Sequence, residues 1–247
     1  EKKSKGEELK EKLFMKQPDA YEKLSEKEIE KAYKYCDGYK KFLGECKTER
    51  ESVDFAVKYL EKNGFEKFEY GKKYQPGDKI YFNNRGKSVY IITVGKHGLE
   101  NGLHIAAAHV DSPRIDLKQH PLYEDGGFAF FKTHYYGGIK KFQWVTVPLA
   151  LHGVVVKADG ECVKISIGED ESDPVFYITD LLPHLGKDQA TKPMGSVFNG
   201  EMLNVLCGSR PYNDEKVSEK IKLNVLNLLY EKYGITEADL VSSELCL

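Results

Sequence analysis

Three spacings of apolar residues follow one another along the chain. Between Ser25 and Gly44 they fall at Ile29, Ala32, Tyr33, Cys36 and Tyr39 or Lys40, the three-and-four rhythm of a helix face. Ser25-Glu26-Lys27-Glu28 supplies a capping box for that helix. A second box, Thr48-Glu49-Arg50-Glu51, opens a helix with Val53, Ala56, Val57 and Leu60 on one side and Gly64 as its stop. The rhythm then shortens. Lys79 to Phe82 and Ser88 to Val94 flank the turn signal Asn83-Asn84-Arg85-Gly86, which predicts a hairpin. The third spacing is no spacing at all: Leu103 to Ala108 is a run without alternation, apolar but for His104, as in a strand buried on both faces of a parallel sheet. Pro113, which cannot donate to a ladder, should end that strand.

Beyond Arg114 the pattern becomes β-rich and punctuated by glycine. Tyr123 to Gly127 reads as a loop, Phe128 to Phe131 as a short aromatic strand and Thr133 to Gly138 as another turn. Trp144 to Val147 and Leu149 to Lys157 favour strands, and Asp159-Gly160 turns the chain into Glu161 to Ile167, which alternates as a half-exposed strand does. Asn213 or Asp214 is the expected cap of a helix bearing Ile221, Val225, Leu228 and Leu229 and closing at Gly234. Leu240 to Leu247 looks like the start of a strand on which the chain stops, as if cut. Residues 1 to about 24, rich in Lys and Glu, read as a solvated arm. The expected division is 1–114, the front of an α/β domain with a mostly parallel sheet; 115–239, an inserted antiparallel β-rich domain; and 240–247, the return strand of the α/β domain.

Bulk properties narrow the class. A formal charge of −2 carries no basic footprint for nucleic acid, and 40% hydrophobic with 31% charged residues describes a globular chain. No apolar run approaches the roughly 20 residues of a membrane span, and no secretory signal is visible, so a cytoplasmic protein is expected. Five cysteines, odd in number and without a C-x-x-C pair, suit a reducing compartment.

The chemistry concentrates at the end of the Leu103–Ala108 run. Ligands of open α/β sheets bind beyond the carboxyl ends of the strands, and His109 and Asp111, two residues apart on a strand, share a face. An imidazole and a carboxylate converging there can hold and orient a metal; the plainer alternative is a core histidine beside a turn-capping aspartate. His104, within the run, reads as a core histidine, and His97 and His120 as solvent residues; His134 and His152 are given no role. Ser112 lacks the G-x-S-x-G surroundings of a nucleophile.

With Ala107-Ala108-His109-Val110-Asp111-Ser112-Pro113, Tyr136-Gly137-Gly138 followed by Trp144, and Leu182-Pro183-His184-Leu185 in this order, the chain resembles the M18 metallo-aminopeptidases, the aspartyl aminopeptidase group, from Tyr33 to Leu247. The resemblance implies a zinc-exopeptidase-like catalytic α/β domain interrupted by a β-rich assembly domain. It further implies a two-metal centre, usually Zn2+ with Co2+ or Mn2+ as alternatives, peptide substrates with acidic or neutral N-terminal residues, and a homo-oligomer, a dodecamer built from dimers. His109 would be a metal ligand, Asp111 the carboxylate that orients it, and His184 a histidine brought to the metal and substrate site by the inserted domain. Members of that family are longer, and carry the remaining ligands and the general base downstream of the position matching Leu247. A catalytic zinc wants about three protein ligands. Two other readings therefore stand beside the enzyme: an oligomerisation subunit of the same fold without a metal centre, and an M42- or M20-type two-metal exopeptidase.

Overall fold

A computed structural model of the chain describes residues 3–247. They form two units, one ending at Cys46 and one running Lys47–Leu247. The first is helical: α1 (Lys5–Leu13), α2 (Ala20–Lys23) and α3 (Glu26–Glu45). The arm expected at the front is thus partly helix, because local caps nucleate it. Glu7 accepts the Ser4 N–H at 2.7 Å while Ser4 Oγ accepts the Glu7 N–H at 3.3 Å, and Asp19 caps α2 through the Tyr21 N–H at 2.9 Å. None of the three helices buries a residue.

The second unit opens with α4 (Glu49–Lys62), whose capping box forms as expected and whose Val53 and Leu60 are buried. β1 (Glu66–Lys67), β2 (Lys79–Asn84) and β3 (Ser88–Thr93) make a three-stranded sheet, with β2 and β3 antiparallel around Arg85-Gly86. The eight strands that follow belong to one further sheet. They are β4 (Arg114–Asp125), β5 (Phe128–Tyr136), β6 (Pro148–Leu149), β7 (Leu151–Val156), β8 (Cys162–Ile167), β9 (Phe176–Tyr177), β10 (Val205–Gly208) and β11 (Ser243–Cys246). Their spatial order is β6-β9-β10-β5-β4-β11-β7-β8. Two helices lie outside it: the single turn α5 (Lys187–Ala190) and α6 (Lys220–Tyr233).

The architecture is mixed α/β, but the sheet is not the parallel one expected. All pairings in the eight-stranded sheet are antiparallel, and the parallel pair among the described residues is the two-residue β1 against β2. The reason lies with Gly102 to Pro113: the run expected as the central buried strand is irregular, and Leu103 to Val110 is exposed throughout. A strand exists only through its ladder, and none is offered to this segment by the described residues. His104, expected in the core, is exposed with it.

β4 and β5 form the longest hairpin among the described residues; the sequence suggested a loop at Tyr123–Gly127, a short strand at Phe128–Phe131 and a turn at Thr133–Gly138. Pro121 is accommodated by a bulge: Leu117 pairs with Thr133 but Leu122 with Phe131, so four residues of β4 pass one of β5. The terminal strand also departs from expectation. β11 lies between β4 and β7 inside the β-rich sheet rather than returning to an α/β sheet. It passes so close to β7 that a Cβ on Gly153 would sit 1.9 Å from the Glu244 carbonyl oxygen, and Gly153 takes φ 137° to allow it.

The core gathers Ile115, Phe131, Leu151, Val155, Ile165, Leu203 and Leu245 under this sheet, closed by Ile221, Val225 and Leu229 of α6. α6 begins at Lys220, not after Asn213, because a distant side chain supplies the cap. Glu124 of β4 accepts the Ile221 and Lys222 N–H groups at 2.9 and 3.0 Å. No helix among the described residues is long and apolar enough to cross a membrane, and no disulfide joins the described cysteines.

Candidate metal centre

His109 and Asp111 come together even without a strand beneath them. The His109 Nδ1 lies 2.8 Å from the Asp111 carbonyl oxygen and 3.4 Å from its Oδ1. Only oxygen acceptors face Nδ1, so that nitrogen carries the hydrogen, and in the neutral ring Nε2 keeps its lone pair. The His109 side chain is 82% exposed, which leaves Nε2 accessible.

Asp111 is held from the other side. The Tyr136 hydroxyl donates to Asp111 Oδ2 at 2.6 Å. That bond, with the Asp111 backbone N–H and the adjacent imidazole, holds the carboxyl below its ordinary value. The same bond raises the Tyr136 phenol. The β4–β5 register explains the meeting: Arg114, three residues after Asp111, pairs with Tyr136. Gly137 then turns with φ 76°, and a Cβ there would be in ordinary contact with Pro113 at 3.4 Å, so the Tyr-Gly pair lies beside the end of the H-x-D segment. Arg114 stacks on the Tyr136 ring at 4.6 Å and is itself held by Asp116 at 2.7 Å and Glu49 at 3.5 Å.

His184 sits apart from this group. It lies in an exposed turn in which the Leu185 and Gly186 N–H groups donate to the Leu182 carbonyl at 2.8 and 2.9 Å. Leu181, Leu182 and Leu185 around it are all more than half exposed. No three His, Cys, Asp or Glu side chains among the described residues converge as a metal site would require. The donors that are present fit one zinc ligand with its orienting carboxylate, not a closed site. A cleft of about 230 Å³ opens between the start of α4 and strands β4 and β11, and shares Glu49, Arg114 and Asp116 with the support of Tyr136. Its charges are matched: Glu244 with Arg50 at 2.7 Å and Lys87 at 2.9 Å, and Arg114 with Asp116.

A second histidine–carboxylate group escaped the sequence reading. His152, on β7, is buried between Glu51 of α4 and Glu169 beyond β8, with Nδ1 and Nε2 each 2.9 Å from a carboxylate oxygen. Burial alone would lower the imidazole; the bonds to Glu51 and Glu169 outweigh it and raise it. Burial would likewise raise Glu51, but His152 and the Lys47 and Thr48 N–H groups bring it down. Both ring nitrogens are engaged, so this imidazole ties α4 to the sheet and has no lone pair to offer a metal.

The model of the aminopeptidase I zinc metalloprotease family, M18, matches residues 42–247. The chain belongs to the M18 family. It is 47% identical over 237 residues to a probable M18 family aminopeptidase 1 of Clostridium acetobutylicum, covering 94% of this chain and 51% of that protein. The crystal structure of an M18 aminopeptidase from Thermotoga maritima superposes with a TM-score of 0.86 at 40% identity, over 94% of this chain and 50% of that one. The fold alone is shared with the mApe1 dodecamer of S. cerevisiae, at a TM-score of 0.58 and 20% identity over 83% of this chain and 46% of that one. The chain therefore spans about half the length of the curated relatives it matches.

Proposed function

We propose that this chain supplies part of a zinc-dependent aminopeptidase that removes N-terminal residues, acidic or neutral, from peptides in the cytoplasm. The observation that carries the reading is the preset hook at the H-x-D motif of an M18 chain: His109 with Nδ1 engaged, Nε2 accessible, and Asp111 held in place behind it. His109 would bind zinc through Nε2, and Asp111 would fix the ring and its tautomer. Zinc, when bound, lowers the pKa of water toward neutrality and polarises a scissile carbonyl, and a second ion would share that work; Co2+ or Mn2+ could replace it.

A catalytic zinc takes about three protein ligands, so the centre draws on groups beyond those described. In that assembled α/β catalytic domain, Leu103 to Ala108 gains the ladder partners its apolar pattern calls for. His184 would reach the site from the β-rich domain of a neighbouring subunit. The exposed leucines around it suit burial in an interface, and the dodecameric state of the yeast relative is the model for assembly.

Asp111→Asn in the complete enzyme tests the assignment. Turnover of an aminoacyl substrate should fall about 10–100-fold, as for other groups that orient a metal ligand, with the circular dichroism spectrum unchanged. Turnover within about threefold of wild type would remove Asp111 from the site.

A further inference from the structure

We propose that Tyr136 is a positioning residue of the metal centre, acting through Asp111; the inference rests on the proposed role of His109 and Asp111. Asp111 divides its carboxylate: Oδ2 receives the Tyr136 hydroxyl at 2.6 Å, while Oδ1 lies 3.4 Å from His109 Nδ1. Apart from its own backbone N–H and the His109 ring, the carboxylate on this irregular segment is held by the Tyr136 hydroxyl. The hydroxyl holds one oxygen and so fixes the other 3.4 Å from the imidazole, whose Nδ1 donates to the Asp111 main-chain carbonyl at 2.8 Å.

The hydroxyl itself is fixed from the sheet. Tyr136 is paired in register with Arg114, Arg114 lies under its ring at 4.6 Å, and Asp116 and Glu49 pin the guanidinium at 2.7 and 3.5 Å. Gly137 packs on Pro113 immediately beyond. Rigid β4 and β5 thus transmit their geometry to a segment that has no regular structure of its own. The ring's packing on Arg114 belongs to the aromatic face, which phenylalanine keeps; the contact that Tyr136 makes with Asp111 belongs to the hydroxyl. The Asp111 side chain that accepts this bond is 38% exposed, so removing the hydroxyl leaves no buried orphan behind.

Tyr136→Phe in the complete enzyme separates these roles. Zinc affinity, read by competition with a chromogenic chelator, should weaken about tenfold or more. The value of kcat should drop by a similar factor at unchanged KM, with the melting temperature within about 2 °C of wild type. In the double variant with Asp111→Asn, the second substitution should add almost nothing, because both act through one carboxylate. Zinc affinity and kcat within twofold of wild type, or losses that multiply in the double variant, would overturn the proposal. His109→Ala tells this failure from that of the underlying reading. If zinc is lost in His109→Ala but kept in Tyr136→Phe, only the positioning role falls; if His109→Ala retains zinc, both fall.

Discussion

His109 and His152 are both held by acidic residues, in opposite surroundings. The His109 side chain is 82% exposed on an irregular segment and has one nitrogen engaged; that of His152 is 8% exposed within a sheet and has both engaged. The difference is the basis for the separate roles proposed for them. An imidazole with an unused, preset nitrogen can bind a ligand, whereas one bridging two carboxylates is committed to the fold.

Exchanging the two lesions should give the largest effects. In the complete enzyme, His109→Ala should reduce zinc retention and turnover by at least about 100-fold with little change in melting temperature. In this chain, His152→Ala leaves Glu51 and Glu169 facing each other with no cation between them. The cost should be about 2 kcal/mol, or roughly 4–8 °C in melting temperature for a chain of this size. A His152→Ala chain that melts like wild type, or a His109→Ala enzyme that keeps its zinc, would erase the contrast.

A smaller effect should appear in pH. His152 is raised on folding, so its contribution is complete below its unfolded value of 6.5 and is lost as pH climbs through the higher folded value. Glu51 is lowered, so its contribution is present above 4.5 and is lost as pH falls through the lower folded value. The groups facing His152 are Glu51 from α4 and Glu169 from beyond β8. Cys246 of β11, its register partner, has a thiol pushed up to about 12 by burial and stays neutral across this range. The melting-temperature difference between wild type and His152→Gln should therefore be greatest between pH 4.5 and 6.5 and shrink on both sides. A difference independent of pH would mean that His152 is held neutral.

The smallest effect concerns a second tie between α4 and the same sheet. Lys164 of β8 pairs with Asp54 of α4, but its side chain is 74% exposed. Lys164→Ala should move the melting temperature by less than about 2 °C. A larger loss would show that exposed and buried ties on this helix are equivalent.

Local signals were legible wherever a few neighbouring residues are sufficient. The capping boxes at Ser25 and Thr48, the Arg85-Gly86 hairpin and the stop of α6 at Gly234 all stand in the sequence because each closes hydrogen bonds within a few residues. His109 and Asp111 were legible for the same reason, being two residues apart. His152 carried no such signal: its partners are 101 and 17 residues away. Tyr136 stood within a recognisable Tyr-Gly-Gly motif, yet its target lies 25 residues upstream. The length of β4 was not read from the sequence; it includes Pro121, which a bulge accommodates opposite β5.

The sequence by itself determined the local helices and turns, the H-x-D pair and the membership of the M18 family. Tertiary structure alone decided the fate of the apolar segments. Leu103 to Ala108 and Leu151 to Val156 are both rich in apolar residues, but only the second meets a strand on each side, β8 and β11, and becomes a buried strand. Apolar composition states that a segment gains by leaving water. Whether it forms a strand depends on partners for its backbone N–H and C=O groups, and those come from elsewhere in the chain.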